Sequence, residues 1–196
     1  MASKRDTGKE WLINMERQSR ATLWPVIGAL VVLTLTRIPV LAMHPVSLFA
    51  SETLMTLLLA LNMRARRVWP GVVFAVAIPL AAWMMDLEGG ADALVYGATL
   101  GAMAAVFVPG HMFAEATVGE MRVGLASAAF AALAALTGLL ISTMGTVITL
   151  IAAQKMTFGN ACVYAMSRQM LPMIAHAVGG FAGLWLAERR ARTTAA

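Results

Sequence analysis

Between Arg122 and Lys155 the chain carries no charged side chain, and this run constrains the fold more than any other feature. A helix needs about 20 apolar residues to cross the hydrocarbon core of a bilayer, and the stretch 122–152 exceeds that. It is long for one span and short for two. Gly138, Gly145 and the pair Ser142-Thr143 mark either a kink or a short re-entrant piece near 142–152, and a single tilted helix is the simpler reading. The rest of the chain follows the same pattern. Of its 196 residues 60% are apolar and 13% charged, and the mean hydropathy is +0.75. A soluble domain carries about 25% charged residues. Soluble enzymes, disulfide-rich secreted modules and zinc ribbons are thereby excluded. The single cysteine, Cys162, forms no internal disulfide and no Cys-rich metal site.

Six apolar segments are expected, at about 22–43, 46–63, 69–87, 91–110, 122–152 and 159–187, giving an all-α polytopic bundle of about six spans. Each break has a physical cause. His44-Pro45 ends the first, because proline donates no backbone N–H and biases the preceding residue away from helix. Arg64, Arg66 and Arg67 end the second. Trp69-Pro70-Gly71 opens the third, with the tryptophan at headgroup level and the proline in a first helical turn. An acidic turn, Asp86 to Asp92, separates the third from the fourth, and Pro109-Gly110-His111 ends the fourth. The sixth carries Arg168, Pro172 and His176, so it is kinked or lines a polar cavity.

The domain plan is a basic tail over 1–20, a transmembrane helical domain over 21–188 and a second basic tail over 189–196. Within the first tail Trp11, Leu12 and Met15 suit a short surface helix at the headgroups. No apolar core with a small-residue cleavage site follows, so no signal peptide is read. The chain has 15 Lys+Arg against 10 Asp+Glu. All the basic residues except Arg37, Lys155 and Arg168 fall in the two tails, the 64–67 loop and at Arg122. With an even number of spans these regions share one side. The positive-inside rule makes that side cytoplasmic, with both termini inside an inner membrane.

Four residues are candidates for a ligand site or polar cavity: Arg37, Glu52, Arg168 and His176. A charge in the membrane interior is costly and therefore functional by default. Arg37 is either half of a buried pair with Glu52, across a tight His-Pro turn, or an interfacial anchor reaching outward. Arg168, in YAMSRQMLPM, requires a carboxylate or a bound anion if it is deep, and is an anchor if it is wet. His176 is read as a hydrogen-bonding or proton-sensitive core residue. His111 and Glu115 have i, i+4 spacing and are weak candidates for a metal; His111, after Pro109-Gly110, reads more simply as an exposed loop histidine. The fifteen methionines are scattered and read as packing, not copper ligands. The small-residue run from Gly124 to Gly138, including Ala128 and Ala132, permits close helix approach. No phosphate-binding loop, zinc-protease motif or nucleophile set is present, so neither an enzyme nor a cofactor is expected.

The string LLLALNMRARRVWPGVVFAVAIPLA, followed later by GLASAAFAALAALTGLLISTMGTVITLIAA, resembles the membrane-associated sensor domains of the MASE class, type one. The similarity extends over about 50–187. It implies a shortened sensory unit without an output domain, signalling through a separate protein at Arg64, Arg66, Arg67 and the carboxyl end. The partners so implied are the bilayer, a separate signalling or membrane-complex protein and a second copy of the chain, with no nucleic acid. Two rival classes remain open: a substrate-binding subunit of a small-molecule transporter, and a structural or assembly subunit of a membrane complex.

Overall fold

The computed structural model describes residues 45–62, 90–116 and 120–193, together with Ile27, Val76, Ala77, Leu80, Trp83 and Met84. Four helices make up the described fold: α1 (Pro45–Asn62), α2 (Gly90–Ala116), α3 (Glu120–Ala152) and α4 (Phe158–Thr193). Three of them, over Ala91–Phe113, Arg122–Ala152 and Phe158–Arg189, are long and apolar enough to cross a membrane. This corrects the expected count of six spans: the described residues hold four helices, of which three are candidate spans. The apolar part of α1 within the described residues, Pro45–Leu61, rises about 25 Å at 1.5 Å per residue. Apart from Ile27, the expected first segment lies outside the described residues, as does most of the third.

The longest charge-free run folds as one helix. α3 continues without a break through Gly138, Ser142, Thr143 and Gly145. Its end has a specific cap: Lys155 N–H reaches Leu150 O at 3.0 Å and Gln154 N–H reaches Ile151 O at 2.8 Å, with Gln154 at a φ of 53°. That is the left-handed Schellman ending, here built on a non-glycine residue. α4 begins after Thr157, whose carbonyl accepts from Ala161 N–H at 2.9 Å. α2 and α4 both pass through an internal proline, Pro109 and Pro172. Membrane helices tolerate this because neighbouring helices and side chains satisfy the freed carbonyl. Pro109-Gly110 therefore does not end the fourth apolar segment, which runs on to Ala116.

Glycine contacts set the relative directions. Along α3, Gly145 lies against Val95 of α2, Gly138 against Met103 and Thr99, and Phe130 against Gly110, so α2 and α3 are antiparallel. Along α4, Gly179 meets Thr53 and Gly183 meets Leu57 and Ala60, so α1 and α4 run parallel. Phe107 against Gly180 and His111 against Glu188 make α2 parallel to α4 as well. The C-terminal ends of α1, α2 and α4 thus gather at one end of the bundle. Residues 63–89 join that end of α1 to the far end of α2.

The core is made of Met55 and Leu59 from α1, Leu100, Met103 and Phe107 from α2, Ala131 and Ala134 from α3, and Leu184 from α4. A second cluster, Val147, Ala161 and Ala165, seals α3 on α4 beside their connecting turn. Outward faces are apolar too. Leu133, Leu136, Leu140, Met144 and Ile148 on α3, with Met166, Met170, Ile174 and Val178 on α4, form exposed stripes at helical spacing. Water would not tolerate patches of this extent, whereas lipid solvates them. The chain is an all-helical, multi-span membrane protein.

With no hydrophobic force to join helices in lipid, close packing of small residues holds α1 to α4. A Cβ on Gly183 would lie 2.6 Å from Ala60 Cβ and 2.8 Å from Leu57 O, and one on Gly179 would collide with the Thr53 carbonyl. Gly183→Val is expected to cost about 1–3 kcal/mol by overpacking, read as a lowered Tm in detergent. Gly159→Ala, where nothing lies within 4 Å of the new methyl, is the control and should not lower it. Equal Tm values for Gly183→Val and the unmodified protein would contradict this packing.

Candidate functional site

The contact of α1 on α4 carries polar side chains into the bundle. Glu52, Thr53 and Thr56 lie on α1, opposite His176 of α4. His176 and Thr56 are buried, and the Glu52 side chain is 19% exposed. His176 Nδ1 lies 2.8 Å from Thr56 Oγ1, and Thr56 Oγ1 lies 2.8 Å from the Glu52 carbonyl oxygen, one turn back. A carbonyl only accepts, so the hydroxyl proton belongs on that bond. The hydroxyl oxygen is then the acceptor and His176 Nδ1–H the donor. This fixes the ring: Nδ1 carries hydrogen, and Nε2 is left facing the Glu52 carboxyl group, with Oε2 at 4.0 Å. That distance is too long for a direct hydrogen bond and within the range of electrostatic coupling. The neighbouring Thr53 hydroxyl is buried and makes no hydrogen bond among the described residues.

A second site lies nearer the end where α1, α2 and α4 converge. His111 of α2 is fully buried, and Glu188 of α4 is 3% exposed. His111 Nε2 lies 2.8 Å from the carbonyl oxygen of Ala60, in the last turn of α1, and Nδ1 lies 3.3 Å from Glu188 Oε1. One ring therefore joins three helices. This corrects the reading of His111 as an exposed loop histidine: it sits within a continuous helix, pressed between two neighbours. The expected i, i+4 partnership of His111 with Glu115 is not its described chemistry, since both ring nitrogens are engaged elsewhere; the Glu115 side chain lies outside the described residues. Among the described residues no group of three or more His, Cys, Asp or Glu is placed to hold a metal.

Arg168 is on the outside of α4. It is exposed, its Nη1 donates to Tyr164 Oη at 2.7 Å, and its Cζ lies 5.5 Å from the centre of the same ring. The side chain thus lies over the preceding turn, toward the α3–α4 connection, as an arginine reaching for an interface does. Among the described residues it makes no ion pair, and it does not join Glu52 and His176. Arg37, and with it the pair expected with Glu52, lies outside the described residues, as do Arg64, Arg66 and Arg67.

Of the candidate cavity residues, then, the structure brings Glu52 and His176 together. Thr56 and Glu188 were not among the candidates. Thr56 is one turn from Glu52 on the same face, a spacing that signals a shared site. Glu188 precedes Arg189 and Arg190 and so reads as the start of a wet basic tail. Comparison with family models, curated proteins and solved structures finds no match to this chain.

Thr56→Val keeps the shape of the side chain and removes the acceptor for His176 Nδ1–H. Leaving that buried donor unpaired should cost about 1–3 kcal/mol, measured by thermal unfolding in detergent. Thr56→Ser should remain close to the unmodified protein. Equal stability of the valine and serine variants would show that the hydroxyl is not the partner.

Proposed function

We propose that this chain is a non-enzymatic sensory or interaction module of the inner membrane, akin to the membrane sensor domains that its sequence resembles. The observation that carries this reading is the Glu52–Thr56–His176 site inside the bundle, between α1 and α4. Ionisable residues at such positions are expensive, and function is the ordinary reason they are retained. The arrangement places a carboxyl group and an imidazole nitrogen on facing helices, with a buried hydroxyl beside them. Its occupancy or charge would alter how α1 sits on α4, and a ligand or ion shifts that equilibrium only as far as it prefers one arrangement. The change would be read at the cytoplasmic ends, where the 64–67 loop and the carboxyl tail offer basic residues to a separate protein.

Glu52→Gln keeps the size of the side chain and removes its charge. Cross-linking in native membranes, followed by quantitative identification of the proteins captured, should show a defined set whose yield changes several-fold in Glu52→Gln while insertion and expression are unchanged. The purified chain in liposomes holding a pH-sensitive dye should pass no more protons than empty liposomes. Proton flux abolished by Glu52→Gln would replace this reading with transport. A capture profile identical in both proteins would remove the role assigned to Glu52.

A further inference from the structure

His111 and Glu188 pose a problem of proton accounting. The Ala60 carbonyl oxygen accepts and cannot donate, so the 2.8 Å contact requires hydrogen on His111 Nε2. A neutral ring with hydrogen there presents a lone pair at Nδ1. An ionised Glu188 presents lone pairs as well. Two acceptors facing each other at 3.3 Å, with the side chains 0% and 5% exposed, would have neither a hydrogen bond nor water to separate them. The contact closes only with one more proton: on Nδ1, giving imidazolium and carboxylate, or on Glu188, giving neutral imidazole and carboxylic acid. Both arrangements have the same proton count and the same net charge.

We propose that His111 and Glu188 form a proton-binding site, which holds one shared proton and thereby fastens the converging ends of α1, α2 and α4. The surroundings supply no other ionic partner from α1, whose one charged residue, Glu52, lies more than two turns before Ala60. From α2, Glu115 follows His111 by one turn. From α3, Glu120 and the exposed Arg122 lie at the same end of the bundle. From α4, Arg189 follows Glu188 and lies over Trp185, its Cζ 5.1 Å from the ring centre. Backbone also contributes: the acceptor on Nε2 belongs to the last turn of α1, and the C-terminal end of a helix attracts positive charge.

With the proton in place the three helix ends are joined. Without it His111 keeps Ala60 through Nε2–H, but Nδ1 and the carboxylate face each other as two acceptors and α4 is released. Glu188→Gln is informative because its amide N–H donates to Nδ1 without a shared proton, imitating the closed contact.

This inference rests on residues that the proposed function does not use, so either can fail without the other. The test is magnetic resonance on the full chain in lipid nanodiscs, labelled with 15N in histidine and 13C at the glutamate carboxyl carbon. The His111–Glu188 cross-peak reports both protonation states in the unmodified protein. A protonated Nδ1 with a carboxylate, or an unprotonated Nδ1 with a carboxylic acid, supports the site; an unprotonated Nδ1 beside a carboxylate at neutral pH overturns it. In parallel, Glu188→Gln, whose amide closes the same contact, should keep the Tm of the unmodified protein in detergent, whereas Glu188→Leu should lower it. Equal Tm values for Glu188→Leu and the unmodified protein would overturn the proposed fastening role.

Discussion

Two buried histidine contacts depend on how closely α1 approaches α4: Thr56 with His176, and the Ala60 carbonyl with His111. At Gly179 and Gly183 the missing side chains let the backbone of α1 lie directly on α4, with Thr53, Leu57 and Ala60 at the contact. In lipid no solvent pressure drives helices together, so the attraction comes from dense packing at short range, which one added methyl group disrupts. That contact sets the register that places Thr56 and Glu52 beside His176. It also sets the position of the Ala60 carbonyl, within reach of His111.

The two histidines use the same economy in different ways. Each ring nitrogen engaged by a hydroxyl or carbonyl fixes where the hydrogen must be, and the remaining nitrogen faces a carboxyl group. At His176 that carboxyl group stands off at 4.0 Å, leaving room for change. At His111 it is in contact at 3.3 Å, and the geometry requires a proton between the partners. Both sites involve α1, which is held by glycine contacts and two polar sites.

The long apolar segments were legible in the sequence because length and absence of charge are enough to define a membrane helix. α3 read correctly as one helix despite its glycines, since small residues in a membrane helix serve packing as often as bending. Pro109-Gly110 misled because the pair commonly ends helices in water, yet α2 continues through it and buries His111. Arg168 drew attention as a charge without a sequence partner, but Tyr164, four residues earlier on the same face, was the partner. Glu188 was hidden by the arginines after it. No local pattern marks a carboxylate as buried when its partner is 77 residues away on another helix. The Gly179–Gly183 spacing was present to be read, and the parallel direction of α1 and α4 was not, because direction emerges only from which residues meet.

The packing of α1 on α4 can be tested directly in a bilayer. Solid-state magnetic resonance of protein labelled in threonine and glycine should give a through-space cross-peak between the Thr53 carbonyl carbon and the Gly179 α carbon. The expected result is a strong peak at short mixing time, lost in Gly183→Val. Its absence, in a spectrum where the neighbouring intrahelical peaks are intact, would contradict the backbone contact on which both histidine sites are built.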